Sequence, residues 1–557
     1  MLEDFARGLI DNLQNKTLTT CSRWAEKKRI MGPPFEGLFS FKWHPWAKEL
    51  HDSEAYMNVV LKAAQMGFTE VAINRAFFTL DRERKSVLYC LPTTLNASDF
   101  SKSRFGNALQ YSDYIKGIFA DTNSIALKIT HGGASLYIRG TRGTSNLKSI
   151  PVADLILDEV DEMSDQAVYM ALERLSGQPE WSEKSVFALS TPSLPNFGIH
   201  KLYINTTQEH FYFPCPSCSR WIELTWPDSF ELIGETLNDQ RVHDSYVKCP
   251  ECSAKIDHAT KHEYIAKGEW KKTNLNGDPD SRGFYINQLY SSTVTPGEMA
   301  QGFLRGYGDE AATQEFHNSK LGMPYLGESA QITDDELAKC VRSHSLEDQR
   351  PVDASRLITM GVDSGGWSYI EITEWFFDEL TNDLNSSAIA KVLWQGRFHE
   401  EAEGGWTVLD NLMREWQINA CVIDADPNTL EARRFARRFP GYVTLCRYRS
   451  GVKGKELSIV DDDTFAPIVT VDRTNWMDAS LGRFHSSRIM LPRDISKEYL
   501  EHIKSPARKY ERDKFDNPVA TYIKTGADHY SHARTYSEIA LPFAASFVAH
   551  KDIESFL

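Results

Sequence analysis

The sequence is short of several things, and each shortage removes a class of protein. It has no long apolar run: the longest weakly interrupted stretch, IALPFAASFVA at 539–549, falls below the ~18 residues of a membrane-spanning helix. The first 30 residues lack an uncharged apolar core and a small-residue cleavage site, so a cytoplasmic chain is expected and not an exported one. Positive charge is in deficit. With 62 Lys and Arg against 77 Asp and Glu the net charge is −15, which argues against passive coating of nucleic acid. A local basic groove remains compatible with that total, because charge is felt only within about 8 Å at physiological ionic strength. Cysteine is scarce, and four of the nine stand in two C-x-x-C pairs, which reads as metal binding in a reducing compartment and not as a disulfide framework.

One absence is more pointed. LKAAQMGFTE, at 61–70, has the outline of the phosphate-binding loop G-x-x-x-x-G-K-[ST] without its lysine. Gly67 and Thr69 stand where the second glycine and the hydroxyl belong, but Phe68 holds the lysine position. The loop lies between an apolar run at 57–61, suited to a buried parallel strand, and VAINRAFF, suited to a helix. Strand, loop and helix are what a phosphate cradle needs, because backbone N–H groups at a helix N-terminus face the anion. Thr69 is placed to hold Mg²⁺, and Lys62 opens the loop with a side chain long enough to fold back across it. A packing turn with a solvated Lys62 gives the same local pattern.

Downstream partners favour the nucleotide reading. VADLILDEVDEM, at 152–163, is an apolar strand delivering two adjacent acids. Asp158 suits metal binding and Glu159 suits polarising the attacking water. KSVLYCLPT at 85–93 is an intervening strand, and SVFALSTPS at 185–193 ends in Ser190 and Thr191, hydroxyls able to sense a γ-phosphate. Next come CPSCSRW and VKCPECSAKI, whose Cys215, Cys218, Cys249 and Cys252 form two knuckles able to close a tetrahedral Zn²⁺ site. Four protein ligands leave no open position, so this metal would be structural. Two hairpin turns with reduced cysteines are the plainer alternative.

The second half has a different pattern. RLITMGVDSGG (356–366) and NACVIDADPN (419–428) are apolar strands ending in Asp363 and in Asp424 or Asp426, with Asp424 preferred because it directly ends the run. GADHYSHARTYSEIAL (526–541) reads as a helix with Asp528 near its start. Converging carboxylates of this kind hold two divalent ions for phosphodiester cleavage, in the RNase H-like arrangement. Each acid alone is also an ordinary turn or cap residue. Arg433, Arg434, Arg437 and Arg438 share one helical face, and Lys504, Arg508, Lys509, Arg512, Lys514 and Lys524 cluster before Asp528. Both groups suit a bound polyanion, or solvated faces paired with Glu431, Glu511 and Asp513.

With these residues in place, nearly the whole chain resembles the large terminase subunit of tailed bacteriophages, of the lambda-type branch. KAAQMGFTE is similar to that branch's deviant phosphate loop, whose lysine opens the loop. LILDEVDE resembles its acidic strand, STPS its coupling motif, and GVDSGG, VIDADPN and DHYSHA its nuclease motifs. The resemblance implies an α/β fold: a P-loop ATPase domain of the ASCE type carrying a zinc ribbon, followed by an RNase H-like nuclease domain. It implies ATP bound by Lys62, Gln65, Gly67, Thr69, Asp158, Ser190 and Thr191, catalysis by Glu159, and Mg²⁺ or Mn²⁺ on Asp363, Asp424 and Asp528. Trp43 or Trp46 would stack on adenine, or else both are core aromatics, and Arg139 or Arg142 would stabilise the transferring phosphoryl group. Glu70 departs from relatives that carry a base there. The expected organisation is a docking segment at 1–30, with Phe5, Leu9, Ile10 and Leu13 near one face, either for the small terminase subunit or as a core helix. An ATPase domain at 31–330 follows, with its ribbon at about 211–258, then a linker at 331–355 and a nuclease domain at 356–557. The implied function is ATP-driven packaging of double-stranded DNA through a procapsid portal, with cleavage of the concatemer. It would take place in the cytoplasm of the infected bacterium, by a homo-oligomeric ring that the tail at 547–557 would help dock. Two rival expectations are a helicase–nuclease of DNA repair and a zinc-ribbon scaffold with an inactive nucleotide fold.

Overall fold

A computed structural model describes residues 20–143, 147, 150–178, 183–327, 330–346, 356–377, 388–449, 457–461, 463, 465–512 and 518–554. The chain divides into two compact units, Met1–Leu326 and Gly327–Leu557.

The first unit is built on an eleven-stranded sheet. Seven neighbouring strands run parallel, in the order Glu209–Pro214, Ser281–Ile286, Met57–Lys62, Ser185–Ser190, Asp154–Asp158, Val87–Leu91 and Ser135–Gly140. Strands covered on both faces read as continuous apolar runs, as VVLK, VLYCL and LILD do. Successive residues enter opposite cores: Val60, Tyr89, Ile156 and Phe187 pack on one face, Val59, Leu88, Leu155 and Val186 on the other. The cysteine segment carries a three-stranded sheet of Phe230–Glu231, Tyr246–Lys248 and Lys255–Ile256, so strands fill the long gap between the knuckles.

Only the end of the segment expected at 1–30 is described. Residues 1–19, with Phe5, Leu9, Ile10 and Leu13, lie outside the described residues, but Cys21–Lys28 is a helix of the core itself. Thr20 caps it, Trp24 and Ala25 are fully buried, and the Trp24 indole donates to Asp81 at 2.7 Å.

In the second unit an eight-stranded sheet runs Ser458–Asp461, Ile468–Val471, Val443–Tyr448, Ala420–Asp424, Leu357–Asp363, Trp367–Phe377, Ala388–His399, Ile489–Met490. The final helix, His529–Glu554, crosses the Leu357–Asp363 strand at its one glycine. A Cβ on Gly361 would lie 2.0 Å from the Ala533 carbonyl oxygen, so only glycine admits the helix backbone there. The stretch expected as a linker at 331–355 is partly helical. Thr333 and Glu336 form a reciprocal capping box on Asp334–Cys340, which buries Leu337 and Cys340 in this unit's core. The acidity that reads as linker is the first-turn acidity of a helix. Residues 347–355 lie outside the described ones.

Candidate active sites and metal centre

Parallel strands present their C-terminal ends along one edge, and register decides what meets there. Leu61 lies opposite Ser190 and Asp158 opposite Leu189, so the Ser190 strand stands between those ending in Lys62 and Asp158. Gly67, at φ +84°, turns the loop into the helix Phe68–Phe78, whose first turn carries Thr69. A Cβ on Gly67 would sit 2.9 Å from the His44 ring, so backbone and space both require glycine. Gln65 is exposed in the loop, also at positive φ, and Thr191 is half-buried after Ser190.

Lys62 is buried and its Nζ lies 3.4 Å from Glu159 Oε1. Glu159 has left-handed backbone, φ 62°, and the Ser190 hydroxyl donates to its other oxygen at 3.2 Å. Asp158 is buried and accepts from the Tyr89 hydroxyl at 2.6 Å, while its Oδ1 has no partner among the described residues. Burial and then the adjacent Glu159 charge push its carboxyl up to about 7. A buried oxygen left unpaired costs about 1–3 kcal/mol, a deficit that a hard divalent cation is suited to satisfy, so this donor set fits Mg²⁺.

Of the aromatics proposed for adenine, Trp46 is core: it is 1 % exposed and its indole donates to Met66 O at 3.1 Å, bracing the loop from beneath. Trp43 packs on His262 at 4.9 Å. Arg139 donates to the carbonyls of Ala126 and Ile138, whereas Arg142 is exposed. The unusual Glu70 is held by Arg29 at 3.1 Å and Arg104 at 3.5 Å.

The four knuckle cysteines converge. Their sulfur atoms all lie within 4.8 Å of one another, with Cys215–Cys252 and Cys218–Cys249 each at 4.0 Å. A tetrahedron with Zn–S bonds near 2.3 Å has an edge of about 3.8 Å, so the spacing fits zinc. The knuckles are built alike. Ser219 and Ser253 donate back to the carbonyls of Cys215 and Cys249 at 3.0 and 2.9 Å, each at positive φ. Among the described residues no other group of His, Cys, Asp or Glu draws three ligand atoms so close.

In the second unit Asp363 and Asp424 end neighbouring parallel strands, where Val362 pairs with Ile423. Burial and then the charge of Asp363 push the Asp424 carboxyl up to about 6. Asp426 is exposed and bound by Arg447 at 2.8 and 3.1 Å, which holds it below the usual carboxylate range. Asp528 immediately precedes the final helix and is buried. The three acids share one end of the unit without closing to 4.8 Å as a group, and histidines engage two of them. His529 Nδ1 lies 2.9 Å from Asp363 Oδ2, and His532 Nε2 lies 3.2 Å from Asp528 Oδ2, with Tyr448 on its other nitrogen at 3.3 Å. Glu400 ties the loops together, accepting from Gly365 N at 2.9 Å and from Ser368 and Asn428. Tyr89, His529, His532 and Glu400 were not among the residues singled out in the sequence. The two histidines sit inside the DHYSHA segment, one and four residues after its acid, and that spacing is the signal that could have found them.

The basic groups are engaged within the unit. Arg434 pairs with Glu431 at 2.5 Å, Arg437 and Arg433 with Asp463 at 2.9 and 4.0 Å, and Arg438 with Asp410 at 2.7 Å. Arg508 pairs with Asp478 at 3.0 Å, Lys509 with Glu511 at 2.7 Å, and Lys504 with Asp334 and Glu501. The Asp513 and Lys514 positions lie outside the described residues.

A strand-edge nucleotide site in one unit and strand-end carboxylates in the other define an ATPase joined to a metal-dependent nuclease. Comparison with known families makes this specific. Residues 35–270 match the ATPase domain of the phage terminase large subunit gpA, and residues 281–529 match the endonuclease domain of the same subunit. The chain belongs to the gpA family of phage terminase large subunits, the ATPase and endonuclease of viral DNA packaging. Among solved structures, the HK97 bacteriophage large terminase is 12 % identical, with 93 % of this chain and 98 % of that one covered and a TM-score of 0.46. The Thermus phage P74-26 large terminase ATPase domain is 14 % identical over 50 % of this chain and 92 % of that one, TM-score 0.30. The large terminase nuclease of thermophilic phage G20c, with bound magnesium, is 12 % identical over 38 % of this chain and 96 % of that one, TM-score 0.23. No curated protein matches. Among the described residues, no helix is long and apolar enough to cross a membrane.

Proposed function

We propose that Lys62 is the displaced lysine of the phosphate loop and that its contact with Glu159 is the resting half of a switch. The observation that carries this is the 3.4 Å approach of Lys62 to Glu159, with Ser190 on the other carboxylate oxygen. Lys62 exchanges Glu159 for the γ-phosphate of ATP, and Glu159, released, orients the attacking water. Gln65 and Gly67 shape the cradle around the phosphates, and Ser190 and Thr191 carry the change out along the central strand. Asp158 and Thr69 would hold Mg²⁺, which supplies charge neutralisation on the transferring phosphoryl group.

In the nuclease, Asp363, Asp424 and Asp528 would hold Mg²⁺ or Mn²⁺, which activates water and stabilises the leaving oxygen. His529 and His532 fix the outer two carboxylates in orientation. Cys215, Cys218, Cys249 and Cys252 would hold a structural Zn²⁺. The substrate is double-stranded DNA, and Arg433, Arg434, Arg437, Arg438, Arg508 and Lys509 reach it by exchanging their carboxylates for phosphates. The partners are the small terminase subunit and the procapsid portal, with the chain working as a homo-oligomeric ring in the cytoplasm of the infected bacterium. The domain limits follow the two compact units, with the 21–28 helix in the ATPase.

The test is DNA-stimulated ATP hydrolysis by the wild-type chain beside Lys62→Ala and Glu159→Gln. Both variants should fall by at least about 100-fold, the order contributed by a positioned base or charge. A folded Lys62→Ala with wild-type turnover would refute the displaced-lysine reading.

A further inference from the structure

The register of the second unit's sheet places more than acids at its open end. Asp363 pairs with Tyr369, and Tyr369 pairs with Arg397, so the three stand in one row across adjacent antiparallel strands. Directly opposed residues project to the same face. One alternation further out, Trp367 pairs with His399 on that face. Deeper along the same strands the face is covered by the final helix, where Arg534 reaches Glu371 at 2.8 Å. That helix begins only at His529, which stacks on Tyr369 at 4.6 Å and 8° while its Nδ1 contacts Asp363. Beyond it the row continues as Arg397 and Trp367, which are 42 % and 46 % exposed.

This is not a loose surface tryptophan. The Arg397 guanidinium lies over one face of the indole at 4.8 Å, and His399 meets the ring edge-on at 5.1 Å. Arg397 is itself fixed, donating to the Tyr369 hydroxyl at 3.2 Å and to Glu498 at 2.6 Å. The loop leading into Trp367 is pinned by Glu400, which accepts from Gly365 N. From strand spacing, the Cα of Trp367 lies roughly 8 Å from that of Asp363.

We propose that Trp367, backed by Arg397, is a stacking subsite for one unpaired nucleobase of the DNA strand being cut, close to the scissile phosphate. The inference rests on the reading of Asp363 and its neighbours as the cutting site. A rigid, half-exposed indole offers its face to any base, and the guanidinium over its other face holds the ring in place. The subsite takes an unstacked base, so it requires local strand opening at the cut and discriminates weakly by sequence.

The test is fluorescence anisotropy on the full chain, with Ca²⁺ replacing Mg²⁺. The probes are a labelled thymidine oligonucleotide of about twelve residues and the same backbone with abasic sites, a length within the site sizes of single-strand binders. Wild type should prefer the base-bearing strand by at least about five-fold, the lower end of one base–aromatic stack. Trp367→Phe should keep that preference and Trp367→Ala should lose it. A Trp367→Ala chain that retains the preference, or one that loses affinity equally for both strands, overturns the proposal. So does a wild type with no preference. Cleavage in Mn²⁺ is measured separately: an Asp363→Ala chain that cuts like wild type would sink the nuclease reading, while the anisotropy still decides the stacking site.

Discussion

Replacing Arg534 should loosen the final helix through the buried charges that seat it. Arg534 and Arg483 face Glu371 and Glu538 in a group that is almost wholly buried, at 0, 4, 0 and 0 % side-chain exposure respectively. Arg534 donates to Glu371 at 2.8 Å, to Thr373 at 3.1 Å and to Glu538 at 2.6 Å, and both guanidiniums lie over Trp375 at 5.1 and 4.8 Å. Two charges of each sign cancel. Arg534→Met therefore strands one uncompensated carboxylate in the interior, at a cost of about 3–5 kcal/mol. Because the loss falls on the helix that carries Asp528 and His529 at its start, it should appear as local opening. Hydrogen exchange of amides in 530–541 should lose protection by roughly 10²- to 10⁴-fold, at 1.4 kcal/mol per factor of ten. Adding Glu371→Gln should recover part of that loss, since neutral glutamine does not need the missing cation. A change below about ten-fold in Arg534→Met would refute the argument that this network, and not apolar packing on Gly361 alone, seats the helix.

Further outcomes follow from the other sites. Strong chelation should release about one zinc per chain and expose amides around 215–252 to exchange; a metal assay finding none in freshly purified protein would remove the ribbon. Asp363→Ala should abolish DNA cutting and leave ATP turnover largely intact, whereas equal loss of both in a folded variant would contradict two separate sites. Glu336 should add an acid-side slope to the second unit's stability. Burial works to raise its carboxyl, but the His485 contact at 2.7 Å and the Thr333 N–H outweigh it, taking the group from 4.5 to about 2. A depressed folded value gives stabilisation that is present above 4.5 and lost as pH falls toward 2. Urea midpoints at several acid pH values should therefore converge for wild type and Glu336→Gln at the low end, and a gap that persists there would show that the pair contributes nothing through charge.

What the sequence made legible is what a single strand can announce. An apolar run that stops at a polar or charged residue places that residue at a strand end, because the run is buried and the polar group finds no partner within it. That logic located Lys62, Asp158, Ser190, Asp363 and Asp424 before any tertiary information. The partners were not legible, because they depend on register between distant segments. Tyr89 reaches Asp158 only because Val87–Leu91 and Asp154–Asp158 are neighbours in the sheet. His529 reaches Asp363 across 166 positions because a glycine lets the helix lie directly on the strand. The same limit explains the helix within the expected linker, where charge density resembled solvent-exposed chain until Leu337 and Cys340 found a core. It also explains the basic clusters. In sequence the clusters suited either a polyanion or faces paired with Glu431, Glu511 and Asp513; folding supplies a carboxylate to each of these arginines, Glu431 among them, so phosphate binding there becomes an exchange of partners and not a simple gain. Exposed pairs of this kind contribute only about 0–1 kcal/mol each, so the exchange costs little. Any one arginine should then matter little to DNA binding, while neutralising Arg433, Arg434, Arg437 and Arg438 together should lower its salt dependence.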